Sequence, residues 1–316
     1  MIEVRHSRGM RLEERACQDS SLHAEVCSGP GVRLLRLAPA NPGAQDCRHP
    51  EKVGNPLSMP VTAKPCTVED ILPWRERYRS EMTGQIVHDS IHRRPGWTTP
   101  YFIRVGEAAA GYGLMAVAGP WADRPTLLEY YLLPEYRSGV FACFDALLAT
   151  SGARFIECQS NAPLLPLMLH AVASNVVSEK IVFQDKFPTS HPAQGTVLQR
   201  TNSEEESRRS FESRQGGTEW QLIREGAVVA TGGVLFHYNP PYGDIFMETA
   251  EPFRRRGLGA YFVQELKRIC YEMGGIPGAR CDPANIASRQ TIQKAGFVPF
   301  AHILVGEIAS VDSYSA

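Results

Sequence analysis

Near the end of the chain, three arginines run into a glycine pair: Arg254, Arg255, Arg256, Gly257, Leu258 and Gly259. An apolar strand pattern precedes them. Leu258, Phe262, Leu266, Ile269 and Met273 follow on one helix face. Glycines at a strand-to-helix turn let backbone approach a ligand closely. The unpaired N–H groups of the helix's first turn, together with its dipole, then favour an anion. Arginines beside such a turn add charge-assisted hydrogen bonds. The chemistry this predicts is the holding of an anion, and a pyrophosphate supplies several acceptor oxygens for such donors. Alone, a Gly-x-Gly turn is a weak signal, and a plain loop-to-helix turn with solvated arginines is its commoner explanation.

Further residues align with this turn. Met247, Glu248 and Thr249 lie on the strand that enters it, and Asp244 opens that strand. Asn285 and Ser288 begin the next helical segment, which closes at Gly296-Phe297. Asn285 has two readings of equal standing, a ligand-lining amide and a helix N-cap whose partner is the Ser288 N–H. The loop His237-Tyr238-Asn239-Pro240-Pro241-Tyr242 places aromatic and polar groups beside the same strand, stiffened by two prolines.

The order strand, Arg254-x-x-Gly257-x-Gly259, helix, strand, Asn285, then a helix ending in Gly296-Phe297 resembles the GNAT superfamily of N-acetyltransferases. It covers residues 219–305. The resemblance implies an α/β fold with a mixed, mostly antiparallel central sheet flanked by helices, and acetyl-CoA as acyl donor, with no metal. It implies that backbone N–H groups from Arg255 to Ala260 (Arg255, Arg256, Gly257, Leu258, Gly259 and Ala260) hold the CoA pyrophosphate, with Arg254 also in the cofactor site. Met247 and Thr249 would pair with the pantetheine arm, and Asn285 and Ser288 would line the thiol end. The acceptor would be a small-molecule or peptide amine that attacks the thioester directly in a ternary complex. Such a reaction needs a base, donors for the oxyanion and a proton for the thiolate. Glu248 is the first candidate base and Asp244 the second, each with the alternative of a solvated strand carboxylate. Ile292 stands where relatives carry a tyrosine, a departure that also leaves open a CoA-binding or sensor protein without turnover.

The elements that must position this site occur twice. Pro134-Glu135-Tyr136-Arg137 resembles Glu251-Pro252-Phe253-Arg254, and Cys158…Asn161 resembles Cys281…Asn285, about 120 residues apart. Two GNAT-like lobes are therefore expected, with residues 1–60 a disordered extension, 61–190 a first lobe, 191–217 a linker and 218–316 the acetyl-CoA-binding lobe. The segment 191–217 has a second reading, a short first helix of the second lobe. In the first lobe, Val140 replaces the glycine expected after Arg137. A β-branched side chain there obstructs close backbone approach, so this lobe is expected to serve structure or the acceptor. The tandem layout resembles that of mycothiol synthase, a likeness that does not fix the substrate. Met59 precedes the first globular pattern and marks a second candidate start of translation.

His88-Asp89-Ser90-Ile91-His92 is the remaining cluster. Two histidines at this spacing on a helix could bind zinc, as in a hydrolase. The glutamate of the metalloprotease motif is absent, and Pro95-Gly96 ends any helix early. The other reading gives His88 and Asp89, with His237, Tyr238 and Tyr242, to the acceptor site.

Composition sets the outer limits. The chain has 316 residues, 43% hydrophobic and 21% charged, enough for two compact units. A formal net charge of −1 and the absence of a basic stripe argue against a nucleic-acid partner, including aminoacyl transfer from tRNA. No apolar run reaches membrane-spanning length and no secretory leader pattern is present, so a cytoplasmic address without membrane contact is expected. The eight cysteines show no C-x-x-C pair and read as buried small hydrophobes. Oligomeric state has no signature.

Overall fold

The computed structural model describes residues 59–309, and the expectation of disorder over 1–60 lies almost wholly outside them. In chain order the first half runs β1 (Val61–Pro65), α1 (Val68–Glu81), β2 (Thr98–Val105), β3 (Ala108–Ala116), β4 (Thr126–Leu132), α2 (Val140–Ser151), β5 (Phe155–Gln159), α3 (Leu165–Val172) and β6 (Ala173–Asp185). The second half runs β7 (Thr196–Arg200), α4 (Glu204–Ser213), β8 (Gly217–Arg224), β9 (Ala227–Leu235), β10 (Tyr242–Thr249), α5 (Leu258–Glu272), β11 (Ile276–Cys281), α6 (Ile286–Lys294) and β12 (Phe297–Ile308). The stretch 191–217 thus carries β7 and α4, and Ser203 and Glu206 form a capping box at the start of α4.

The two halves do not build two separate sheets. All twelve strands join in one, ordered β1-β2-β3-β4-β5-β12-β6-β11-β10-β9-β8-β7. The expectation of one central sheet per lobe is corrected here, because the last strand of each half crosses into the other. β12 pairs with β5 of the first half, and β6 pairs with β11 of the second. β6 and β12 then pair with each other along most of their length, with register shifts at Pro299/Ala301, Ile303/Leu304 and Val305/Glu307. Each bulge adds local twist, which bends the long pair across the middle of the sheet.

Alternation along these strands sends side chains to opposite faces. In the second half, Ile245, Ala279, Ile181 and Phe183 meet Leu258, Phe262, Val263 and Leu266 of α5 in one apolar core. In the first half, Tyr130, Leu132, Ile156 and Cys158 pack with Phe144 and Leu147 of α2 and Leu165, Met168 and Leu169 of α3. Burial pushes the Cys158 and Cys270 thiols up to about 12, which keeps them as protonated core side chains.

Under α1 lies a buried ion cluster. Arg75, fully buried, donates to both carboxylate oxygens of Glu129 at 2.9 and 2.6 Å and to Asp89 at 3.2 Å. Tyr112 donates to Glu129 at 2.7 Å, and Arg79 forks onto Asp89 at 2.7 and 2.9 Å. Burial works to raise the Glu129 carboxyl, but Arg75 and the hydrogen bonds hold it below the ordinary range.

Two outcomes are expected. Separately expressed 59–190 and 191–309 should each aggregate, since each leaves a strand edge bare, and recover a soluble folded species when co-expressed. Size-exclusion chromatography with circular dichroism reads this, and a monomeric, cooperatively unfolding single half would contradict it. Glu129→Gln should cost about 3–5 kcal/mol in urea unfolding at neutral pH, because it strands a buried guanidinium. Because the folded carboxyl titrates below its unfolded value, that difference should be complete above the usual carboxylate range. It should shrink as pH falls through the folded value.

Candidate active site

The parallel ladder between β10 and β11 ends at Ile245↔Ala279, after four rungs that begin at Tyr242↔Ile276. Beyond it β10 continues to Thr249, paired only with β9, so the backbone of Phe246–Thr249 faces an opening on its β11 side. Met247 and Thr249 turn their side chains toward α5: a Cβ on Gly259 would meet Thr249 Oγ1 at 3.2 Å and Met247 Cε at 3.5 Å. The strand opening and the first turn of α5 therefore adjoin.

That first turn is left without a side-chain cap. Gly257 occupies the N-cap position at φ +79°, and Arg255 is also left-handed at φ +62°. In contrast, α1, α4 and α6 are capped by Thr67, Ser203 and Asn285. The first backbone hydrogen bond of α5 runs from the Tyr261 N–H to the Gly257 carbonyl at 3.2 Å, so the N–H groups of Leu258, Gly259 and Ala260 belong to the unpaired first turn. Arg254 donates from Nε to the Thr249 carbonyl at 3.0 Å and reaches Glu248 at 3.5 Å. Arg256 leans over the Phe253 ring and Arg255 is exposed, which leaves these two guanidinia open to an anion.

The first half repeats the local design with a different ending. Arg137 Nε donates to the Leu132 carbonyl at 3.1 Å, the counterpart of Arg254 on Thr249. Its Nη2 donates to both carboxylate oxygens of Glu81 at 2.8 and 2.6 Å, and Val140 is buried at the start of α2.

Asn285 accepts from the Ser288 N–H at 2.9 Å, so the amide caps α6. The Ser288 hydroxyl engages Cys281. Ile292 is buried in the core with α5. Glu248 has a side chain 77% exposed and beside Arg254, a solvated strand-face carboxylate. Asp244 differs in every respect. It is buried, 3.2 Å from Arg280 Nε and 3.4 Å from His237 Nε2. Burial raises its carboxyl to about 6 against the opposing pull of Arg280. Burial, then the positive charge of Arg280, drives His237 down to about 3, so its ring is neutral.

On this face of the sheet a cleft of ≈ 450 Å³ opens between residues of both halves. His237 and Arg280 line it from the second half; His88, Trp121, Arg124 and Glu157 line it from the first. Glu157 is the hub: His88 Nε2 lies 2.7 Å away, Trp121 Nε1 donates at 2.9 Å and Arg124 at 3.2 Å. Burial works to raise its carboxyl, but these three partners hold it lowered. The segment before His88 is pinned across the sheet. Gln85 donates to the Phe183 carbonyl at 2.7 Å, Ile86 N–H to Asn239 at 2.6 Å, and Val87 N–H to Gln159 at 2.7 Å. A side chain at Gly278 would meet Gln85 Nε2 at 2.9 Å, so that glycine admits the crossing.

The cleft thus brings His88 and His237 together. Asp89 points away into the Arg75–Arg79 cluster and is 1% exposed. Tyr238 is buried beneath the cleft with Val87 and Val182, and Tyr242 packs against the same group. Arg214 reaches the Tyr238 carbonyl at 3.1 Å and also the Tyr242 carbonyl, which fixes their loop. His92 does not share a site with His88. The segment is a turn and a short 3-10 helix at Ile91–Arg93, and His92 lies against Arg75. Burial, then Arg75, lowers it to about 4. Among the described residues no group of three or more acidic, His or Cys side chains is arranged to hold a metal ion.

Glu157, Trp121, Arg124 and Arg280 were not singled out by sequence reasoning. The one available signal was a charge inside an otherwise apolar strand, as Glu157 stands beside Ile156 and Cys158, and Arg280 between Ala279 and Cys281.

Residues 184–297 match the model of the acetyltransferase (GNAT) family. No curated protein matches the chain. Among solved structures, a GNAT-family acetyltransferase from Colwellia psychrerythraea aligns with TM-score 0.62 at 14% identity, over 78% of this chain and 100% of its own. A tandem GNAT protein of the clavulanic acid biosynthesis pathway aligns with TM-score 0.51 at 14% identity, over 80% and 100%. A GCN5-related N-acetyltransferase from Sphaerobacter thermophilus gives TM-score 0.51, 14% identity, 80% and 98%. These likenesses are of fold. No helix among the described residues is long and apolar enough to cross a membrane.

Proposed function

We propose that the second half, whose residues 184–297 match the acetyltransferase (GNAT) family model, binds acetyl-CoA and passes the acetyl group to an amine seated in the cleft between the halves. The observation that carries this is the parting of β10 from β11 directly beside an uncapped, glycine-led α5. The unpaired N–H groups of Leu258, Gly259 and Ala260, with Arg255 and Arg256, suit the pyrophosphate. The open edge of Met247–Thr249 suits the pantetheine amides, and its N–H groups suit the developing oxyanion.

Asp244 stands one rung before the strands part and faces the cleft side of the sheet. It is ionised at neutral pH, with a carboxyl at about 6. In the proposed reaction the amine nitrogen attacks the thioester carbon and the C–S bond breaks. The amine's proton passes to Asp244 through cleft water or the neutral His237 ring. The thiolate takes its proton from solvent, since Ile292 offers none. Glu248, paired with Arg254 in solvent, serves the turn rather than the chemistry. Ile292 also favours a second reading, a protein that binds acetyl-CoA without turnover, which an amine panel separates from the first.

Gly257→Glu should abolish acetyl-CoA binding by calorimetry, whereas Gly139→Glu, at the matching turn of the first half, should leave it intact. Equal affinity of both variants and the parent would sink the pyrophosphate assignment. Turnover per acceptor, kcat/KM, should fall as pH drops through about 6, where Asp244 takes a proton. Asp244→Asn should lower neutral-pH turnover by about 100-fold and remove that acidic limb while keeping the acetyl-CoA affinity. Glu248→Gln should change neither. An acidic limb that persists in Asp244→Asn assigns the base elsewhere.

A further inference from the structure

The cleft is bipolar, and its two ends differ in how their charges are satisfied. At the floor, Glu157 and, behind His237, Asp244 are anions with partners already in place. Toward the 3-10 turn, Arg94 lines the cleft and makes no ion pair among the described residues. Its guanidinium lies 4.5 Å over the Trp97 ring. That ring is itself fixed: the Trp97 carbonyl accepts from the Val117 N–H at 2.9 Å, and the indole packs where a Cβ on Gly119 would meet it at 2.5 Å. The turn is closed by Trp97 N–H to the Arg94 carbonyl at 3.1 Å. A stacked guanidinium on a fixed indole keeps its fork of donors pointed edge-on and loses little entropy on taking a planar anion.

Lys180 adds a second cation on the same wall, held only loosely by Asp282 at 4.0 Å. The other two cations of the lining, Arg124 and Arg280, are consumed by Glu157 and Asp244. Glu179 also lines the cleft and makes no ion pair among the described residues. His237 carries no charge at neutral pH to alter that balance. A net excess of one positive charge suits a monoanion better than a dianionic phosphate.

We propose that the acceptor is a small amine that also carries a carboxylate, of amino-acid size, with its carboxylate on Arg94 and its amine toward Glu157 and His237. This rests on the reading of the cleft as the acceptor site of an acetyltransferase, and it specifies which amines enter. A bidentate pair between Arg94 and a carboxylate orients the molecule, so that the amine end reaches the floor rather than the mouth.

The test uses the full chain saturated with CoA and follows Trp fluorescence, since Trp97 and Trp121 both line the cleft. The probes are a set of amino acids, their amides, the corresponding simple amines and phosphoethanolamine. Transfer is measured in parallel with acetyl-CoA. The carboxylate-bearing amines should bind and be acetylated with a KM at least about tenfold below that of their amides. Arg94→Gln should erase this preference, raising KM for the carboxylate-bearing amines towards that of their amides, with acetyl-CoA affinity unchanged. Arg94→Lys should keep part of it. Equal use of amides, preference for phosphoethanolamine, or an unchanged profile in Arg94→Gln each overturns the proposal. So does the failure of every probe to bind while acetyl-CoA binds normally, an outcome that leaves the cofactor reading standing. If acetyl-CoA itself does not bind, the acetyltransferase reading has failed, and the carboxylate proposal with it.

Discussion

The pairing of β6 with β12 is the constraint on which everything else depends. Two long strands, each leaving its own half, meet antiparallel at the centre and complete the sheet of the other. An interface made of backbone hydrogen bonds tolerates little sliding, because a one-residue slip turns every inward side chain outward. Val182 and Ile303 would leave the patch beneath the cleft, and Ile181 and Phe183 would leave the α5 core. The exchange therefore sets the relative placement of the halves more tightly than a docked interface of side chains would. The 84–88 crossing then lies on this seam, tied by Gln85, Gln159 and Asn239, and carries His88 to its place opposite His237.

Two charge clusters flank the seam and are built differently. Arg75 with Glu129 and Asp89 is saturated: every strong donor of the guanidinium meets an acceptor, and no part of it faces the cleft. Such a group gives little net stability over an apolar core of equal volume, but breaking it is costly. The Asp244–Arg280–His237 group is looser, with contacts of 3.2 to 3.5 Å. Its carboxylate is raised toward neutrality where Glu129 is lowered. Loose, partly compensated charge beside a cleft is the arrangement from which proton transfer can be run.

Much of the fold was legible because its helices and most strands carry clean periods. Leu258, Phe262, Leu266 and Ile269 mark α5. The two exchanged strands were not marked. β12 is interrupted by bulges that break its alternation, and β6 mixes Ser174, Asn175 and Ser178 with Val176 and Val177 on an edge that only a distant strand covers. A sequence period reports burial, not which sheet supplies the partner. At the site, the glycine turn was legible from spacing. The contrast between an exposed Glu248 and a buried Asp244 was not legible, since burial and the approach of Arg280 create it and neither is a local property. Glu157 and Trp121 come together only through tertiary packing, too far apart in the chain for any motif to link them.

The exchanged strand also imposes an order on synthesis. The first half is translated first, yet the open edge of β5 finds its partner only in β12, the last described element to emerge. Until then its apolar inner strand must wait, exposed or shielded by chaperones, while the whole second half is made. The first half is thus the earlier product and the later finished structure, since its sheet cannot close before the second half has been made.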